Sequence, residues 1–149
     1  MERVGKLSSI MFKDHLRLLS LLHRLEIKNK KDLQVMYEEF ENFKWNIEKH
    51  FFVEEKTIFS SFKTRKDGAE PYNLFLEIAK QHTEILNELN LIKKSLLKNQ
   101  GIDGLSLRDL LIKHQKFEEK AVYPRLDEEL DENEKDMIIN RINEIIYLD

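Results

Sequence analysis

The sequence predicts an all-α protein, an up-down four-helix bundle with an additional C-terminal helix, and three observations carry that prediction. Only four Gly and two Pro interrupt 149 residues, too few breaks for a turn-rich fold. Hydrophobic residues make up 41% and charged residues 36%, a mixture suited to long amphipathic helices. Apolar residues also recur at i, i+3, i+4 and i+7 within segments that end at Gly, Pro or polar clusters. At this length one core suffices, so residues 1–149 read as a single domain, with the bundle over about 8–124 and the last helix over about 131–147.

The first helix is expected from about Ser8 to Glu26, with Met11, Phe12, His15, Leu18, Leu19 and Leu22 inward. After the polar run Lys28-Asn29-Lys30-Lys31, a second and longer helix spans about Asp32 to Ser60 and turns Met36, Phe40, Phe43, Ile47, His50, Glu54 and Ile58 to one face. Ser61 to Pro71 reads as an exposed loop. The third helix, about Tyr72 to Lys98, carries Phe75, Ile78, His82, Ile85, Leu89, Ile92 and Leu96, and the stretch Asn99 to Gly104 ends it. For the fourth, Ser106 is the expected N-cap, with Asp109 three residues on. Its inward face is Leu107, Leu110, Leu111, His114, Phe117, Glu118 and Ala121, and Pro124 is expected to kink or stop it. A shorter amphipathic tail, with Met137, Ile138, Ile142, Ile145 and Ile146, docks on the bundle.

Composition removes several kinds of function. Gly5, Gly68, Gly101 and Gly104 form no phosphate-cradling cluster, so a nucleotide-binding loop is not expected. With no Cys there is no disulfide, no thiolate nucleophile and no Cys-ligated metal, so any metal must be held by His and carboxylates. A net charge of −3 provides no field that would draw nucleic acid or an anionic membrane. Neither a secretory apolar segment nor a spanning helix stands out, which sets the expectation of a soluble, cytoplasmic protein, monomeric or homodimeric.

The inward faces contain residues that do not belong in an apolar seam. Of five His, four fall on them, one per main helix: His15, His50, His82 and His114. His50 and His114 are each followed one turn later by an inward Glu, Glu54 and Glu118, and side chains at i and i+4 share a face with Cβ atoms roughly 5 to 6 Å apart. With 19 Glu in the chain, about one His in eight acquires such a neighbour by chance, so the spacing alone proves little. Burial adds weight, because an isolated buried carboxylate must be paired, neutralised or bound to metal.

An internal repeat adds more. Residues 50–60, HFFVEEKTIFS, align without gaps on 114–124, HQKFEEKAVYP, and residues 13–19, KDHLRLL, align on 80–86, KQHTEIL. Each half is thus a helix with one His followed by a helix with HxxxE, which suggests two metals related by a pseudo-twofold axis.

In order and spacing, His15, HFFVEEKTIF, His82 and HQKFEEKAVYP resemble the hemerythrin-like family of HHE cation-binding domains over about His15 to Pro124. Ferritin-like bundles use Glu-x-x-His instead, and no His here has a Glu three residues before it. The resemblance implies a non-heme centre of two iron ions, with His15, His50, His82 and His114 as terminal ligands and Glu54 and Glu118 as bridges. Its first implied function is binding of a small diatomic ligand, dioxygen or nitric oxide, for storage or sensing. The alternative is a di-iron oxidoreductase acting on peroxide or nitric oxide, or an iron donor in iron–sulfur cluster repair; a metal-free bundle ranks last. Oxygen-carrying hemerythrins have a second His one turn from the third-helix ligand, where this chain has Ile78 and Leu86. A water, Glu55, Glu119 or a tyrosine remains to complete the site.

The remaining features read as structural. His23 lies about 80° round the helix and 12 Å along it from His15 and so is expected to stand apart from the site. Glu55 and Glu119 are expected at the surface or supporting a ligand, not ligating. Phe40, Phe43, Phe75, Phe117 and Trp45 are expected to pack and shield. The acidic run Asp127 to Glu132 reads as a solvated turn and helix start, and the short Lys63-Thr64-Arg65-Lys66 segment gives no reason to expect nucleic acid.

Overall fold

A computed structural model of the chain describes residues 5–27, 32–59 and 69–147. The sequence-derived loop from Ser61 and its Lys63 to Lys66 run lie outside the described residues up to residue 68. The described residues form six α-helices: α1 Lys6–Ile27, α2 Leu33–Val53, α3 Ala69–Leu97, α4 Leu105–Phe117, α5 Tyr123–Glu129 and α6 Glu132–Ile142. Short π-helical segments extend three of them, Glu54–Ile58 after α2, Glu118–Val122 between α4 and α5, and Asn143–Tyr147 after α6. There is no strand among the described residues. α1 packs on α2, α2 on α3, α3 on α4 and α4 on α1, which closes the up-down four-helix ring. α6 lies on α1 and on the π segment Glu54–Ile58, and Asn143–Tyr147 lies on α2, so the C-terminal helix caps one end of the bundle. No described helix is long and apolar enough to cross a membrane.

Helix ends follow local chemistry. Asp32 caps α2 by accepting the Gln34 N–H at 2.9 Å. Asp131 and Glu134 form a reciprocal capping box on α6. Ser106 is not a cap: α4 starts at Leu105 from Gly104, because the Asp103 carboxylate accepts the Leu105 N–H at 3.2 Å and draws the start forward. α3 is helical from Ala69, so Pro71 lies in the first turn, where its missing N–H goes unused. Pro124 likewise starts α5, and the wider π turn before it carries the chain onward with little interruption.

The seam is narrower than a 3.6-residue stripe suggests. Every expected inward residue of α2 from Met36 to Ile58 and of α3 from Phe75 to Leu96 is buried. By contrast, Phe12 on α1 and Met137 on α6 are exposed, and Trp45, expected to shield, stands on the outer side of α2 at 57% exposure. The core divides into two apolar clusters. One holds Leu7, Met11, Ile78, Tyr123 and Ile142 toward the C-terminal cap, and the other holds Leu18, Phe40, Ile47, Ile85 and Leu111 at the opposite end. His15, between Met11 and Leu18, and His82, between Ile78 and Ile85, lie in the layer between them.

The acidic run is not merely solvated. Asp127 accepts the Leu7 N–H and the Ser8 N–H, each at 2.9 Å, and so caps α1 from a helix 120 residues away in sequence. Gly5, at the cap position, has no side chain to do this, and a Cβ there would lie 2.1 Å from Asp127 Cγ. Asp127→Ala is therefore expected to lower stability by about 1 kcal/mol. Gly5→Ala should cost a similar amount, and the double variant little more than either alone, as read from urea unfolding.

Candidate metal centre

Six ionisable side chains meet in the layer between the apolar clusters. His15, His50, His82 and His114 are at most 2% exposed, and Glu54 and Glu118 are fully buried. The imidazoles form two pairs: His15 and His50 have ring centroids 5.0 Å apart, and His82 and His114 4.8 Å apart. Each carboxylate spans the pairs. Glu54 Oε1 lies 3.3 Å from His50 Nε2 and 3.1 Å from His82 Nε2, while Glu118 Oε1 lies 3.2 Å from His15 Nε2 and 3.0 Å from His114 Nε2. His23 is exposed and away from this set.

All four imidazoles use Nε2 toward the centre because Nδ1 is already engaged. His50 Nδ1 donates to Asp14 at 2.5 Å, His15 to Glu119 at 2.6 Å, His114 to the Gln81 carbonyl at 2.7 Å and His82 to Glu55 at 2.9 Å. Such a partner sets the tautomer and leaves the Nε2 lone pair free to ligate. Glu55 and Glu119 thus accept from the imidazoles of His82 and His15, and Asp14 and Gln81, which the sequence does not single out, accept from those of His50 and His114. The signal for Asp14 and Gln81 lies in the repeat, where KDH and KQH place a polar residue immediately before each single His.

Each HxxxE carboxylate also opens a π turn. The Phe59 N–H reaches back to the Glu54 carbonyl and the Tyr123 N–H to that of Glu118, each five residues away. One extra residue in the turn brings position i+5 back toward the core face, and π turns of this kind are frequent at functional sites. Phe59 and Tyr123 are buried for this reason. The Tyr123 hydroxyl donates to Glu54 Oε2 and approaches Glu118 Oε2 at 3.4 Å. At the matching place Phe59 stacks on Phe75, with centroids 4.7 Å apart. Phe51 closes another side by stacking on His82 at 3.7 Å.

The electrostatics are those of a cation site. Burial alone would discharge His15 and His114. The adjacent Glu118 and Glu119 carboxylates, which favour the charged imidazole, outweigh it for His15 and push its pKa up to about 9, while Glu118 and Glu54 push His114 up to about 10. Burial would likewise raise Glu54, yet the surrounding imidazoles, His50 foremost, hold it well below the usual carboxylate range. Burial and the two carboxylates raise Tyr123, so its hydroxyl keeps its proton.

Hydrogen bonding leaves part of the cluster unsatisfied. Nε2 of His15, His50 and His114 and Oε1 of Glu118 are buried without a hydrogen-bond partner, although all point inward. Buried polar atoms are seldom left unpaired, and a divalent cation would satisfy them together. Two groups of these atoms lie within metal-binding reach of one another: Glu54, His82, His114 and Glu118, and His15, His50 and Glu118.

The hemerythrin HHE cation-binding domain family matches residues 6–126. The chain belongs to that family. No curated protein and no solved structure matches it. The family binds metal cations, and the buried His/Glu cluster of this hemerythrin-family chain fits a metal site.

Protonation and metal compete for the same Nε2 atoms. In the metal-free protein, the raised pKa values of His15 and His114 contribute stability that is fully present below about 6.5 and lost as pH rises through about 9 to 10. Melting followed with a chelator present should therefore show a midpoint that falls over this range, while the metal-loaded protein, whose ligands need no proton, should hold its midpoint.

Proposed function

We propose that the cluster holds two iron ions and binds a small diatomic ligand, dioxygen first and nitric oxide second, for storage or sensing. The observation that carries this reading is the division of the imidazoles into two pairs, with both carboxylates shared between them. His15 and His50 would hold one ion, His82 and His114 the other, and Glu54 and Glu118 would bridge. Carboxylates span ions about 3.5 to 4 Å apart, and an imidazole and carboxylate set suits iron. When bound, the two ions supply an open coordination position and a pair of electrons.

The chain supplies everything else. Asp14, Glu119, Glu55 and Gln81 hold the imidazoles in one tautomer and orientation. The apolar clusters above and below keep bulk water from the layer. Neither α1 nor α3 adds a second imidazole, since Met11 and Ile78 occupy the turn before His15 and His82. A ligand set this small leaves room for an exogenous diatomic. A di-iron oxidoreductase acting on peroxide or nitric oxide is the second reading. It is favoured by the Tyr123 hydroxyl, a buried hydrogen-bond donor set against both carboxylates.

Metal analysis after expression in iron-rich medium is expected to give about two irons per chain, the count of a two-metal site. The reduced protein should gain a visible absorption band in air that disappears when oxygen is removed. Rapid decay of the band, with turnover of hydrogen peroxide, would favour the enzyme, and zinc alone or no metal would overturn both readings. Glu54→Ala and Glu118→Ala should each lose metal, while His23→Ala should keep it.

A further inference from the structure

The two halves supply the same residue types as proposed ligands, one single His and one HxxxE each, but differ in what stands behind them, and this break carries a consequence for the order of metal loading. We propose that the His15–His50 position takes up a cation first and holds it more tightly than the His82–His114 position. The inference rests on the two-cation reading above.

Behind the first pair stand two carboxylates. Asp14 is fully buried and accepts from His50 at 2.5 Å, and Glu119, with a side chain 28% exposed, accepts from His15 at 2.6 Å. Asp14 is itself clamped. Arg17 Nε donates to its other oxygen at 2.7 Å, Arg17 Nη1 donates to Asn46 Oδ1 at 2.6 Å, and Asn46 Nδ2 donates to the Asn42 carbonyl at 2.8 Å. In the repeat Asp14 corresponds to Gln81, so the acceptor behind His114 is a neutral amide. The carboxylate behind His82 is Glu55, whose side chain is 48% exposed and whose bond is the longest of the four, at 2.9 Å.

An anionic acceptor draws the Nδ1 proton and pushes electron density to Nε2, which strengthens that nitrogen as a metal ligand. The negative charge of Asp14 is offset by the Arg17 guanidinium bonded to it, so the buried charge-assisted Asp14–His50 bond, against a neutral amide behind His114, carries the difference. That difference favours the first pair. Tyr123 does not decide the order, because the carboxylates it touches are shared by both pairs. Asp14 and Gln81 act through the histidines and are positioning residues.

The test is anaerobic titration of the metal-free full chain with Co²⁺ against a competing chromophoric chelator, read by cobalt absorption and calorimetry. Two steps of one equivalent each are expected, separated by about tenfold or more. Asp14→Asn should weaken the first step by about 10- to 100-fold and leave the second in place. Gln81→Glu should tighten the second step and narrow the gap, and this variant carries the test alone if Asp14→Asn fails to give the helical circular-dichroism spectrum of the parent. His114→Ala should retain the tight step and His50→Ala only the weak one. Two equal steps, or an Asp14→Asn effect confined to the later step, overturn the order while leaving two cations per chain intact. A single equivalent at saturation of the unsubstituted chain overturns the two-cation reading and the order with it.

Discussion

The bundle is organised around the cost of placing six ionisable groups between two apolar clusters. A buried imidazole or carboxylate without a partner costs several kcal/mol, so each must be satisfied on both sides. The protein divides the task by atom. Nδ1 of each of the four buried histidines is bonded outward to a side chain from a neighbouring helix, and Nε2 faces inward toward the carboxylates. Once the outward bonds are made, the rings have one tautomer and one orientation, and the inward atoms are left for one another or for a cation. Long helices with few breaks serve this requirement, since ligands from four segments must be held in register.

The outward bonds also tie the halves of the repeat together. Asp14 and Gln81 each support the histidine of their own half, whereas Glu55 and Glu119 each reach across to the single histidine of the other half. The π turns make the crossing possible. By adding a residue to the turn directly after Glu54 and Glu118, they allow each of these carboxylates and the Glu55 or Glu119 carboxylate beside it to face different neighbours while Phe59 and Tyr123 return to the core. The Asp127 cap on α1 secures the same arrangement from outside, because it fixes the end of the helix that carries both Asp14 and His15.

Departures from exact symmetry give the centre its chemical direction. In the repeat Tyr123 corresponds to Phe59, Asp14 to Gln81, and Phe51 to Gln115, whose amide donates to the His15 carbonyl at 3.2 Å. The His15–His50 side therefore has the buried Asp14 anion behind it, the His82–His114 side has the Gln81 amide and the Phe51 ring, and the Tyr123 hydroxyl touches the carboxylates between them. A cluster that begins as a repeated set of His and Glu thus becomes two inequivalent halves within one hemerythrin-family bundle.

The sequence by itself determined the helical class, the seam and all six residues of the central cluster. Those residues obey the same 3.6-residue period as the core around them, and their polarity makes them stand out against it. It did not reveal Asp14 and Gln81 as supports, because each acts on a histidine of a different helix, 36 and 33 residues away, and no period along one helix encodes such a contact. Tyr123 was hidden for another reason: a π turn shifts the phase by one residue, so the regular period misplaces whatever follows Glu118. Periodicity also assigned Phe12 and Met137 inward, and Trp45 was expected to shield, where the bundle leaves all three exposed, since the width of a buried stripe depends on how closely neighbouring helices approach. Local spacing thus selected the groups, and tertiary packing decided which nitrogen faces the centre, what stands behind it and where the two halves differ.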